Sequence, residues 1–123
     1  MILADTSVWI DHLRGEKNRL KDFLEGGSIL VHPFIIGELA CGNLKNRDCI
    51  LDLLTNLPQA VTASDDEVLE FIKKRSLAGR GIGYIDMHLM AAAALTQDAL
   101  LWTTDKRLEK AALREGLGLQ HPG

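Results

Sequence analysis

Short apolar runs alternate with longer amphipathic stretches along this chain, and that alternation narrows the folds open to it more than any other feature. Ile2-Leu3-Ala4 is an unbroken apolar run that reads as a buried strand. Ser28 to His32 holds a second run, Ile29-Leu30-Val31. Ala60-Val61 is a weak third, Ala99 to Thr103 a fourth, and Leu117 to Leu119 an edge strand at most. Helical patterns fall between them. The first covers Val8 to Leu13 and is opened by Thr6 and Ser7, either of whose hydroxyls suits the cap. Asn18 to Glu25 carries Leu20, Phe23 and Leu24 on one face and stops at Gly26-Gly27. Pro33 sits at a first helical position ahead of Phe34 to Gly42. Arg47 to Leu54 is closed by Asn56-Leu57-Pro58. Ser64-Asp65-Asp66-Glu67 is a capping-box sequence that starts a helix through Leu77. Gly79, Gly81 and Gly83 mark a flexible loop before the alanine-rich helix Tyr84 to Thr96, and Lys106 to Glu115 is the last helix. Such alternation implies the α/β class: a central parallel sheet of four to five strands with helices on both faces, a three-layer sandwich. No repeat, low-complexity tract or linker interrupts the pattern, and 123 residues suit one domain over 1–123.

Apolar residues make up 46% of the chain, too many for a disordered polymer. No apolar run approaches the roughly 20 residues that span a bilayer, and the N-terminus lacks the pattern of a signal peptide. A cytoplasmic protein with no membrane partner is expected. Cys41 and Cys49 lie in apolar helical patterns and read as core thiols, without a zinc-type Cys-x-x-Cys pair. The net charge of −3 does not exclude a nucleic-acid partner, because four acids gathered on a metal leave 14 basic against 13 acidic residues.

Four acids depart from the solvated pattern of the others. Asp5 follows the first strand and Asp105 follows Leu100-Leu101-Trp102-Thr103-Thr104. Strand ends of a parallel sheet share one edge, where open α/β sheets bind ligands. Glu38 has Phe34, Ile35, Cys41 and Gly42 at helical spacing, and Asp86 has Ile82, Gly83, Leu89 and Met90, so each is expected on an apolar stripe. Burial of an ionised carboxylate there calls for a cation. Four carboxylates without His or Cys ligands suit Mg²⁺ or Mn²⁺, which can activate water and stabilise a phosphodiester under attack. The bland alternative makes Asp5 and Asp105 helix caps and pairs Glu38 and Asp86 with Lys or Arg. Asp22, Glu25, Asp65, Asp66, Glu70 and Glu109 lie among polar residues and need only water.

At these residues the chain resembles the PIN-domain ribonucleases, in particular the VapC toxins of VapBC toxin–antitoxin pairs. The matching pieces are Asp5-Thr6-Ser7 after the first strand, Ile36-Gly37-Glu38-Leu39, the loop and helix Gly81 to Leu89, and Thr103-Thr104-Asp105. Their order and spacing carry the match over nearly the whole chain. The resemblance implies a PIN-like nuclease domain and a Mg²⁺- or Mn²⁺-dependent endoribonuclease site, the toxin part of a type II toxin–antitoxin system. It implies Asp5, Glu38, Asp86 and Asp105 as catalytic acids and metal ligands, with Thr6, Ser7 and Thr103 positioning ligands or water. It also implies an RNA substrate, a cognate antitoxin and a homodimer.

Two other readings compete. One is a receiver-like regulatory domain that binds Mg²⁺ for phosphate signalling, although Asp5 stands alone where such domains carry an acidic pair. The other is a catalytically silent PIN scaffold, which a full acid set argues against. His12, His32, His88 and His121 share no ligand spacing and read as surface or packing residues. Trp102 reads as core or interface rather than a base-stacking platform. Trp9, Ile10 and Leu13, with Phe23 and Leu24 nearby, are expected to form an apolar groove for the antitoxin; the competing reading makes all five of them core.

Overall fold

Strand β1 (Ile2–Ala4) is buried at every residue and lies at the centre of the sheet. In this computed structural model, which describes residues 1–120, β1 pairs in parallel with β2 (Ile29–Leu30) on one side and with β3 (Leu100–Trp102) on the other. Helices α1 (Thr6–Leu13) and α2 (Leu20–Glu25) join β1 to β2. Helices α3 (Pro33–Ala40), α4 (Arg47–Asn56), α5 (Asp65–Lys74) and α6 (Tyr84–Leu95) join β2 to β3, and α7 (Lys106–Arg114) follows. No helix among the described residues is long and apolar enough to cross a membrane.

The sheet is narrower than its sequence suggests. Three strands form instead of four to five, with seven helices among the described residues. The two expected outer strands shrink to single parallel bridges, Val31 with Gln59 beyond β2 and Leu101 with Gly118 beyond β3. Pro58 offers its carbonyl to Val31 but has no N–H to extend the ladder. Two residues after Gln59 the chain leaves the sheet, where the Val61 N–H turns to the Thr96 hydroxyl. Gly118 is held against the backbone of α7, close enough that a Cβ would lie 2.7 Å from the Leu113 nitrogen. That approach permits one bridge and no more.

Strand order decides where the site lies. The chain passes outward from β1 to β2 and to Gln59, then returns across the sheet to β3 on the far side of β1. Right-handed crossovers place α1 to α4 on one face and α5 to α7 on the other. The packing pairs agree, α1 with α2 and α3, α3 with α4, and α5 with α6. The point where the strand order reverses is the crevice between the carboxyl ends of β1 and β3, the expected ligand position in an open α/β sheet. Asp5 closes that crevice on one side, its N–H bonded to the Trp102 carbonyl at 2.8 Å.

Burial corrects several expectations. Trp9 is 1% exposed and belongs to the core, so it lines no groove. Phe23 and Leu24 pack on that core, Phe23 with its ring edge-on to Trp102 at 5.6 Å, and Trp102 is itself buried. Cys41 and Cys49 are both exposed thiols. Cys41 caps the C-terminus of α3 and Cys49 lies on the outer side of α4, where helical periodicity alone does not separate an outer position from a core one. His121 lies outside the described residues.

Candidate active site

Asp5 is both a cap and part of the acidic cluster. Its Oδ1 accepts from the Thr6 N–H at 2.7 Å and so caps α1; neither Thr6 nor Ser7 takes that position. Its Oδ2 accepts from the Thr103 hydroxyl at 2.8 Å and the Ser7 hydroxyl at 3.4 Å. Each hydroxyl in turn accepts a backbone N–H, Thr103 from Asp105 at 3.1 Å and Ser7 from Thr104 at 3.2 Å. Both hydroxyl protons are therefore committed to Asp5. The turn after β3 and the start of α1 are tied together through this one carboxylate. Asp5 is 8% exposed, and burial raises its pKa against the lowering effect of Thr103, its strongest hydrogen-bond partner.

Thr6 extends the network, its hydroxyl donating to Glu38 Oε1 at 2.8 Å. Glu38 reaches the site from α3 and is exposed, not buried on an apolar stripe. Asp105 caps α7, with Oδ1 accepting from the N–H groups of Arg107 and Leu108. Glu38, Thr6, Asp5, Thr103 and Asp105 thus form one hydrogen-bonded series. Asp86 stands outside it. It lies half-buried in the first turn of α6, and no side chain or backbone group among the described residues donates to its carboxylate. Desolvation, then Asp5, Asp105 and Glu38 in that order, push its pKa from 3.8 to about 6. All four acids are close enough for Asp86 to feel the other three.

Among the described residues none of the four is ion-paired with Lys, Arg or His. The caps expected of Asp5 and Asp105 are present, but the basic partners expected for Glu38 and Asp86 are not. Partial compensation comes from the backbone. Helices α1, α6 and α7 all begin at this edge of the sheet, and their positive ends favour negative charge. The donor set is all oxygen, which fits a hard divalent cation. No three acidic, His or Cys side chains among the described residues are gathered tightly enough to hold a bare ion.

Thr103 offers a test of the network. Thr103→Val keeps the shape and removes the donor to Asp5 and the acceptor for Asp105. The expected loss of stability at pH 7 is about 1.5–3 kcal/mol, the range for a hydrogen bond to a charged group. It should shrink as pH falls and Asp5 takes up a proton. Urea unfolding at pH 7 and at pH 3.5, below the ordinary Asp value from which Asp5 is raised, checks this; equal losses at both values would leave Thr103 with a packing role only.

Two features escaped sequence reasoning. Asp65 accepts from the Tyr84 hydroxyl at 2.7 Å and contacts His88 Nε2 at 3.0 Å, so it does more than face water. The i,i+4 placement of Tyr84 and His88 was a usable signal, but its partner on another helix was not. Gly81, with φ +75°, passes under Arg107, whose Nη1 would lie 2.8 Å from any Cβ there. The loop ahead of Asp86 is thereby packed against the first turn of α7.

The PIN-domain family model matches residues 2–113. Two curated relatives, both named Ribonuclease VapC32, come from Mycobacterium tuberculosis strains CDC 1551 / Oshkosh and ATCC 25618 / H37Rv. Each is 48% identical over 119 residues, covering 97% of this chain and 96% of the relative.

Proposed function

The chain belongs to the PIN-domain family, and from that premise we propose that Asp5, Glu38, Asp86 and Asp105 hold a divalent metal and carry out RNA cleavage. The protein is an endoribonuclease, the toxin component of a toxin–antitoxin system. Residues 1–123 act as a single nuclease domain in the cytoplasm. The observation that carries the site assignment is Asp86, an acid opposed by three other acids and, among the described residues, paired with no base. A structure accepts that arrangement when a cation completes it.

Mg²⁺ or Mn²⁺ at these carboxylates would supply a nucleophile at neutral pH and charge stabilisation for the phosphodiester. The protein groups supply order. Thr103 and Ser7 fix Asp5, Thr6 fixes Glu38, and the caps of α1 and α7 fix the backbone from which Asp5 and Asp105 project. Asp105 uses Oδ1 for its cap, leaving Oδ2 without a partner among the described residues and able to orient an attacking water. The helix N-termini at the crevice favour an RNA phosphate entering it. Hydrolysis in this manner leaves a 5′-phosphate and a 3′-hydroxyl.

The test is incubation of the purified protein with total RNA in Mn²⁺ or Mg²⁺, with mapping of new 5′ ends. Discrete 5′-phosphate ends that vanish with chelator are expected. Identical RNA with and without protein would reject the reading, and would favour a silent scaffold.

The antitoxin is proposed to occupy a groove of about 440 Å³ between α1 and the α3–α4 turn, lined by Ile10, Leu13, Leu39 and Leu44. Glu38 lies at its wall, so an apolar segment seated there can extend a basic side chain, such as Arg, to the acids. A homodimer is also proposed, with a second groove between α5 and α6 as its face: Phe71 and Leu95 lie in it, rimmed by acids (Glu67, Glu70) and bases (Lys74, Arg75) that can pair across two copies. Sedimentation equilibrium of wild type and Leu95→Asp decides whether that face joins two copies.

A further inference from the structure

We propose that Asp65, Tyr84, His88, Phe34 and His32 form a brace that sets helix α6, and with it Asp86, against helix α3, and with it Glu38. These are positioning residues, and the proposal rests on the assignment of Glu38 and Asp86 to the metal site.

The two helices belong to opposite layers and are not among the main packing pairs of the fold. They meet through side chains. The rings of Phe34 and His88 pack edge to face with centroids 4.8 Å apart, and Tyr84 packs on the other contact of His88 at 4.7 Å. His32 packs on Phe34 at 5.0 Å. Phe34 stands one turn before Glu38 on the same face of α3, and His88 stands two residues after Asp86. A shift at the Phe34–His88 contact therefore changes the separation of the two acids.

Polar contacts lock the brace at both ends. Asp65, in the first turn of α5, accepts from the Tyr84 hydroxyl at 2.7 Å and lies 3.0 Å from His88 Nε2. His32, the cap of α3, accepts the Phe34 N–H on Nδ1 at 3.0 Å. Those partners set the tautomers: His32 carries its proton on Nε2, and His88 donates Nε2–H to Asp65.

Chemistry argues that the histidines serve position rather than packing. His32 is 0% exposed and His88 2%, and each keeps one buried ring nitrogen with no hydrogen-bond partner among the described residues. Apolar side chains would fill both places without leaving polar atoms unpaired. An imidazole does what they cannot, since it packs between aromatic rings while reaching a carboxylate or a backbone N–H at its edge.

Asp65 is the place to test the brace, because its side chain is exposed and its removal opens no core. Asp65→Ala removes both polar contacts, whereas Asp65→Asn keeps the acceptor. The measurement is Mn²⁺ binding to metal-free protein, read as free Mn²⁺ by electron paramagnetic resonance, with Asp86→Asn as reference. Asp65→Ala should weaken Mn²⁺ binding about tenfold, the lower end of the range for partners that orient metal ligands. Asp65→Asn should restore it to within about twofold. The His88 Nε2–H signal in ¹H–¹⁵N spectra should persist in Asp65→Asn and vanish in Asp65→Ala. Wild-type affinity in Asp65→Ala, or equal weakening in both variants, overturns the brace while loss in Asp86→Asn leaves the acid site standing. If Asp86→Asn also binds Mn²⁺ undiminished, the acid site itself is wrong and the brace falls with it.

Discussion

Asp86→Asn is expected to abolish RNA cleavage while making the metal-free protein more stable. Asn keeps the shape of the side chain and removes the charge that desolvation and three neighbouring acids oppose. Raising the pKa from 3.8 to about 6, at about 1.4 kcal/mol for each tenfold change in the proton equilibrium, puts an upper bound of roughly 3 kcal/mol on the strain. Side-chain relaxation reduces the expected gain to about 1–2 kcal/mol at pH 7. The sign follows from linkage. Between pH 3.8 and about 6 the folded Asp86 holds a proton that the unfolded chain has released, so this group makes stability fall as pH rises. The cost is absent below that window and complete above it. Asp86→Asn and wild type should therefore converge near pH 3.5 and separate above pH 6. Mg²⁺ should raise the melting temperature of wild type, because it binds the folded form, and that of the variant much less. Asp5→Asn is the poorer probe. Its carboxylate receives two hydroxyl protons that an amide nitrogen cannot accept, so lost hydrogen bonds offset the relieved repulsion. Melting curves of wild type and Asp86→Asn at pH 3.5 and 7, with chelator and with Mg²⁺, decide the matter. A destabilised variant and a wild type indifferent to Mg²⁺ would falsify the shared-metal assignment.

Trp9 and Leu13 should behave as opposites, although they share α1. Trp9 is buried at the core, so Trp9→Ala should cost about 3–5 kcal/mol, a large part of the stability of a domain this size. Trp9→Phe should cost far less, since it also removes an indole N–H buried without a partner among the described residues. Leu13 lines the groove beside Glu38 and is only half-buried. Leu13→Glu should leave the fold near wild-type stability and weaken antitoxin binding at least about 100-fold, as for an interface anchor. Urea unfolding of the free protein and titration with the cognate antitoxin separate the two. Should Trp9→Ala unfold like wild type but lose the antitoxin, Trp9 would be an interface residue and the burial argument would fail.

How α1 presents these two residues shows where sequence reasoning stops. The apolar spacing of Val8, Trp9, Ile10 and Leu13 marks a helix with an apolar face. It does not say which part of that face meets the sheet. The spacing around Glu38 likewise suggests an apolar stripe, yet Glu38 is exposed, because the side of α3 it shares with Phe34 looks across the crevice. Asp65, flanked by polar neighbours in the chain, binds two side chains from another helix.

The amino-acid sequence alone determined the alternation of strand and helix and the placement of Asp5 and Asp105 just beyond strands. Those features depend on residues a few positions apart, and local backbone geometry is enough to order them. The tertiary structure alone decided that the outer strands are single bridges, that Trp9 is core, and that Asp86 faces three other acids with no basic partner among the described residues. It also decided that Thr103 ties the end of β3 to Asp5, 98 positions away in the chain. Contacts of that span depend on the order β2-β1-β3, which brings the ends of β1 and β3 to one crevice. Strand order is set by how whole layers bury their apolar faces, a property no short window of residues contains.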